Sequence, residues 1–280
     1  MKKIAGLFLA LAVLLPQHNA WADRAEIMLL PTRVVMEKND RFVTIIIKNN
    51  GNATGNLSLE MIDMEMKEDG KVLQVEEGKT DPYSAIPYLR VAPQSMTLKP
   101  GGVQNVRILL RKPADLPAGE YRSHMKVRIE DDNVEATEAQ KASGVKEAQI
   151  SVKAKLALTI PVIIRQGDLA VSVKMESPKV VRDAQGKPAL DMFLLHDGNR
   201  SVMGDFAISH SVAGKNPELI KSFPGIPVYR QTHRRHVSIP LDDLPAGADL
   251  SKGKLTVVYT AQEKEGGMKL AEETFDLTAQ

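Results

Sequence analysis

The sequence contains no cysteine, a single tryptophan, and only 4% aromatic residues across 280 positions. Without cysteine no disulfide can staple the chain and no thiolate zinc site can form, so stability has to come from the apolar core. Few aromatics, all scattered, argue against a stacking platform for bases or sugars. The expectation for Tyr121, Phe193, Phe206 and Tyr259 is ordinary core packing. Nucleotide and hydrolase signatures are missing too, with no HExxH, GxSxG, P-loop or GxGxxG pattern. His233 and His236 flank Arg234 and Arg235, whose fixed charges disfavour a bound cation, so HRRH reads as a solvated basic turn or strand end. The acidic pairs Asp131-Asp132 and Asp242-Asp243 lack the spaced oxygen ligands of a calcium loop. No catalytic residue, cofactor or metal is therefore expected. Asn52-Ala53-Thr54 reads more simply as a turn than as a glycosylation acceptor.

Long hydrophobic runs are also absent. The apolar stretch Ile4–Leu15 is shorter than the roughly 20 residues a spanning helix needs. Lys2 and Lys3 precede it and Ala20-Trp21-Ala22 follows it, which predicts a secretory signal peptide over residues 1–22 and a mature chain beginning at Asp23. A soluble product outside the cytoplasm is expected. Loss of that segment removes Lys2 and Lys3 and no acid, which brings the 37 basic residues level with the 35 acidic ones. A near-neutral chain argues against nucleic acid as a partner.

What the sequence does contain is alternation. Ile27–Val35, Phe42–Ile47, Val106–Leu110, Tyr121–Ile129, Val171–Met175, Met192–Leu195, Val237–Ile239 and Leu255–Tyr259 alternate apolar with other residues, separated by turn signals such as Asp69-Gly70 and Gly266-Gly267. No segment keeps a long helical period. The pattern predicts an all-β protein built as antiparallel sandwiches. Asp115-Leu116-Pro117-Ala118-Gly119 recurs as Asp243-Leu244-Pro245-Ala246-Gly247, each copy between two strand patterns. Two domains of similar topology follow. They are read as residues 23–165 and 166–280, with the bend at Gly167. Pro31 interrupts the first strand pattern, which suits an edge strand that changes sheets at a bend.

The most informative stretch is AQISVKAKLALTIPVII, residues 148–164. It alternates for longer than an ordinary strand of about five or six residues. The polar segment 130–147, without strand pattern, leads into it. Ile150, Val152, Ala154, Leu156 and Leu158 share one face, and Lys153 and Lys155 lie on the other. An edge strand of this kind can complete a partner's sheet, backbone bonds giving affinity and alternate side chains filling pockets. The alternation is equally compatible with all five residues packing in the domain's own core.

Several segments resemble the periplasmic chaperones of the chaperone–usher pilus pathway, the PapD-like family. They are LLPTRVV (Leu29–Val35), the block Pro87–Ile129 with its LLRKPADLPAGEYRSH wording, and IPVIIRQG (Ile160–Gly167). The wording is closer to the archaic or alternative branches. The resemblance implies two immunoglobulin-like β-sandwich domains set at an angle and a non-enzymatic role in fimbrium biogenesis in the periplasm. It implies donation of the Gln149–Leu158 strand to pilus subunits that lack one strand, followed by delivery to an outer-membrane usher. Ile150, Val152, Ala154, Leu156 and Leu158 would replace the missing core. No nucleotide, metal or membrane insertion is implied. Self-association that caps the exposed strand stays open for the free protein. The family anchors the subunit's terminal carboxylate with two basic residues, and Arg33 matches the first. The position of the second, a lysine in the family, is Pro161 here. Arg122, Arg165 and Lys155 are the candidates for its role, and Arg122 is favoured. The rival readings are a structural or adhesive component of a surface fibre, and an enzyme or sugar-binding module on a sandwich scaffold.

Overall fold

The computed structural model describes residues 24–37, 39–130, 156–213, 216–245 and 249–277. The predicted signal peptide, Lys155, Ile150, Val152 and Ala154 lie outside the described residues.

The strands form two β-sandwiches. The first contains β1 (Ile27–Leu30), β2 (Val34–Met36), β3 (Phe42–Asn49), β4 (Gly55–Ile62), a small hairpin of β5 (Met64–Met66) and β6 (Val72–Gln74), β7 (Leu89–Ala92), β8 (Ser95–Leu98), β9 (Val103–Leu110), β10 (Gly119–Ile129) and β11 (Ala157–Gln166). Its two main sheets have strand orders β1-β3-β9-β7 and β2-β11-β10-β4-β8. The interruption at Pro31 does what the sequence suggests. The chain leaves β1, antiparallel to β3 in one sheet, and re-enters as β2, parallel to β11 at the edge of the other.

The second sandwich contains β12 (Val171–Arg182), β13 (Pro188–Gly198), β14 (Val202–Ser211), β15 (Glu218–Val228), β16 (Arg234–Pro240), β17 (Lys254–Ala261) and β18 (Lys269–Asp276). Its sheets run β12-β13-β16 and β15-β14-β17-β18. Seven antiparallel strands split three and four in this order are an immunoglobulin-like arrangement.

Period-two alternation places one side of each strand between the sheets. Ile45, Ile47, Val106, Ile108, Met125, Val127, Val162 and Ile164 form much of the first core, and Leu190, Leu194, Phe206, Ile208, Val257 and Tyr259 much of the second. Each such side chain contributes about 1.5–3 kcal/mol relative to exposure. The duplicated turn occupies equivalent places, joining β9 to β10 and β16 to β17, although Ala246 and Gly247 lie outside the described residues. After the first copy, the Tyr121 hydroxyl donates to the Pro117 carbonyl at 3.0 Å, the tyrosine corner of immunoglobulin-like domains. Among the described residues the second copy has no such corner, and Tyr259 donates to the Ile226 carbonyl at 2.6 Å.

Phe193 is not a core residue. It lies half-buried on the outer face of β13, with the Arg234 guanidinium 3.3 Å from its ring centroid. HRRH is a strand end, one of the two places expected for it, but it is more than a solvated one. It opens β16 and grips the β5–β6 hairpin of the first sandwich. Arg234 pairs with Glu68 at 2.7 Å, the His236 amide donates to the Glu68 carbonyl at 2.7 Å, and the Thr232 hydroxyl donates to the Met66 carbonyl at 3.1 Å. Glu68 lies 166 residues away from Arg234 in sequence, so no local pattern could have paired them.

Candidate functional site

Strand β11 has two different edges. On one side β10 pairs with it over its whole length, from Arg128↔Ala157 to Gly119↔Gln166. On the other, β2 covers only Val162, Ile163 and Ile164. Among the described residues, Ala157–Pro161 therefore has no strand on its outer edge. The apolar face of β11 also leaves the core there. Val162 and Ile160 are buried, Leu158 is half-buried against the first core, and Leu156 is 54% exposed. Of the five residues expected on a donated face, Leu158 thus contacts the protein's own core and Leu156 faces outward. An unpaired strand edge that continues into an exposed apolar side chain is a feature that strand addition can use.

Where the open edge meets β2 lies a small cavity of about 30 Å³ between the two sandwiches, lined by Arg33, Arg122, Pro161, Met203 and Tyr229 among others. Arg33 comes from the bend before β2 and Arg122 from the outward face of β10, so the fold brings the two expected anchor residues into one cleft. Arg122 is only 3% exposed. Its guanidinium lies 3.2 Å from the Tyr229 ring centroid, and its Nη2 donates to Gln231 Oε1 at 2.9 Å. Gln231 in turn donates to Asp81 at 2.7 Å. Burial pulls the Arg122 pKa below its ordinary value, Glu120 and Tyr229 oppose this, and Arg33 adds to it. Arg33 directs Nη2 to Glu265 at 2.8 Å and Nη1 to the Met203 sulfur at 3.8 Å, a weak acceptor. The Nε atoms of Arg33 and Arg122 are both buried with no hydrogen-bond partner among the described residues. Orphaned buried donors are uncommon and call for an explanation.

Two acidic residues that no sequence pattern marked bind arginines beside this cavity. The buried Glu265 carboxylate accepts from Arg33, from Arg165 at 2.6 Å and from Arg200 at 3.1 Å. Buried Glu120 meets Arg165 Nε at 3.5 Å and the Ser201 hydroxyl. Burial works against the charge of Arg165, but its hydrogen bond and attraction to Glu265, with Glu120, raise its pKa above the ordinary guanidinium value. Arg165 is thus committed to these carboxylates, whereas Lys155 lies outside the described residues. Arg33 and Arg122 are the two guanidiniums that line this cavity, whereas Arg165, Arg200 and Glu265 line a neighbouring one with Glu37. Two guanidiniums with orphaned Nε donors at one cavity favour an anion, and a carboxylate fits a guanidinium fork best.

His124, next along the outward face of β10, is buried and its pKa falls to about 4, first by burial and then by the charge of Arg122. The unfolded value is near 6.5, so between these limits the unfolded chain binds a proton that the folded one does not. Stability should fall as pH drops from 6.5 toward 4, by roughly 3 kcal/mol from this residue. Buried His196, also shifted down chiefly by burial, adds in the same direction. Urea midpoints measured across this range should fall with acidification, and His124→Gln should remove a large part of the slope.

No family model matches the sequence, and no curated protein matches it. Solved structures are similar to it along most of its length. They include the CsuC–CsuE chaperone–tip adhesion subunit complex of archaic chaperone–usher pili from Acinetobacter baumannii, at 12% identity and TM-score 0.47, covering 91% of this chain and 100% of that one. The CupB2 chaperone of Pseudomonas aeruginosa is similar at 13% identity and TM-score 0.43, covering 90% and 100%. The E. coli chaperone DraB is similar at 14% identity and TM-score 0.42, covering 91% and 97%.

Proposed function

We propose that this chain is a periplasmic chaperone of pilus or fimbrial subunits, acting by donor-strand complementation and delivering its client to an outer-membrane usher. The observation that carries this reading is the half-open edge of β11, without a strand beside Ala157–Pro161 among the described residues and continuous with the exposed Leu156. A subunit lacking one strand presents an apolar groove and open sheet edges, an aggregation hazard. In this reading the edge over Gln149–Leu158 fills that groove, with Ile150, Val152, Ala154, Leu156 and Leu158 as its apolar row. Four or five buried aliphatic side chains at about 1.5–3 kcal/mol each outweigh the cost of ordering the segment. Strand exchange, not catalysis, moves the client onward, so no cofactor or nucleotide takes part. Export rests on the predicted signal peptide.

Arg33 and Arg122 form the carboxylate anchor in this reading. Their orphaned Nε donors and their shared place at one small cavity support it. The test is co-expression with candidate subunits followed by native mass spectrometry of the purified chain. A one-to-one complex is expected. Arg33→Ala and Arg122→Ala should each lower its recovery about tenfold or more, since each removes a charge-assisted bond. Unchanged recovery in both variants would sink the anchor assignment.

A further inference from the structure

Glu265 stands at a junction. Among the described residues it is the one acceptor that the Arg33 guanidinium meets through a strong bond, at 2.8 Å, and it belongs to the second sandwich, whereas Arg33 belongs to the first. Its other partners, Arg165 and Arg200, bind it independently of Arg33. Arg33 has a poor sulfur acceptor on Nη1 and none on Nε. The arrangement is therefore asymmetric. If Arg33 turned to another anion, Glu265 would keep two guanidiniums, and neither buried group would be left unpaired.

We infer that Glu265 is an internal counter-carboxylate that competes with the client's carboxylate for Arg33 and so holds the affinity of the anchor down. This rests on the carboxylate-anchor reading above and adds a regulator to it. Electrostatics sets the sign. A negative charge beside Arg33 opposes a second anion entering the cleft, and in a partly buried site this repulsion is only weakly screened. Removing the charge while keeping the side chain's shape should tighten anion binding. The exchange also cuts a tie between the sandwiches, because the Arg33–Glu265 pair crosses from one to the other. A chaperone that must surrender its client gains from such a competitor, which re-forms the resting pair as the carboxylate departs.

The test uses acetate as the carboxylate probe and acetamide as its neutral counterpart, at constant ionic strength, in the purified chain. Arginine Nε–H resonances of Arg33 and Arg122 report binding, and the Glu265 carboxyl carbon reports loss of Arg33. In the unsubstituted chain the Arg33 and Glu265 signals should move together with acetate and stay still with acetamide. Glu265→Gln should bind acetate about tenfold more tightly, a change equivalent to roughly 1.4 kcal/mol. Arg200→Gln is the control for a merely structural effect, since it removes another partner of Glu265 and should not tighten binding. Equal or weaker binding by Glu265→Gln, or an unmoved Glu265 signal while Arg33 saturates, would overturn the competitor role and leave the anchor standing. Absence of any saturable shift at Arg33 and Arg122 in all three chains would remove the anchor itself, and the competitor with it.

Discussion

Leu156→Arg should abolish capture of a client while leaving the chain folded. Leu156 is 54% exposed, so an arginine there meets water in the free protein. Exposed substitutions of this kind usually change stability by no more than about 0.5 kcal/mol. In a complex the same side chain would have to enter an apolar groove as an unpaired charge, which costs several kcal/mol. Native mass spectrometry should show the lone chain, and the urea midpoint should match that of the unsubstituted protein. Val162→Arg makes the contrast, because Val162 is fully buried in the first core, further along the same row as Leu158 and Ile160. That variant should misfold. If Leu156→Arg misfolded as well, the residue would belong to the core and the donor reading would fail.

Arg165→Ala should cost the protein about 3 kcal/mol and split its unfolding into two transitions. Arg165 leaves the end of β11 and reaches Glu265 at 2.6 Å and Glu120 at 3.5 Å. Both carboxylates are buried, so removing the guanidinium takes away a partner that burial makes necessary. Breaking a buried pair from one side typically costs about 3–5 kcal/mol. Glu265 keeps Arg33 and Arg200, which places the expected value at the lower end. Glu120 keeps the Ser201 hydroxyl. Because Arg165 belongs to the first sandwich and Glu265 to the second, its loss weakens their mutual support. Urea unfolding and calorimetry should both show a lowered first midpoint. Arg165→Lys, which keeps the charge but not the fork, should lie between Arg165→Ala and the unsubstituted chain. An unchanged midpoint in Arg165→Ala would mean that the ion pairs contribute nothing to holding the sandwiches together.

The strands were legible where alternation was strong. The patterns at Phe42–Ile47, Tyr121–Ile129 and Leu255–Tyr259 lie within β3, β10 and β17, and Pro31 marks the change of sheet. The β5–β6 hairpin was not legible as strands, because its three-residue strands are too short to show a period. Only its Asp69-Gly70 turn stood out. Arg33 could be named because a resemblance pointed to it, and Arg122 as the favoured one of three candidates for a second basic residue. Glu120, Glu265 and Gln231 could not, since each is an isolated polar residue whose partners lie far along the chain. Glu265 and Arg165, for example, are 100 residues apart. A sequence shows which side of a strand is apolar, but which charges meet is settled by the packing of whole domains.

If β11 takes a guest strand as proposed, its short parallel pairing with β2 would also act as a ruler. It begins at Val162↔Val34, one residue after Arg33. A guest strand lying along Ala157–Pro161 would be collinear with β2 and could advance no further than its first residue. Each step along such a strand is about 3.3 Å, so the stop is defined to within one residue. A guest running parallel to β11 would therefore bring its last residue to the level of Arg33. Chains that end at that point could present a free carboxylate there, and chains that continue would collide with β2. On this geometry the protein would distinguish a finished polypeptide from one with more residues to come.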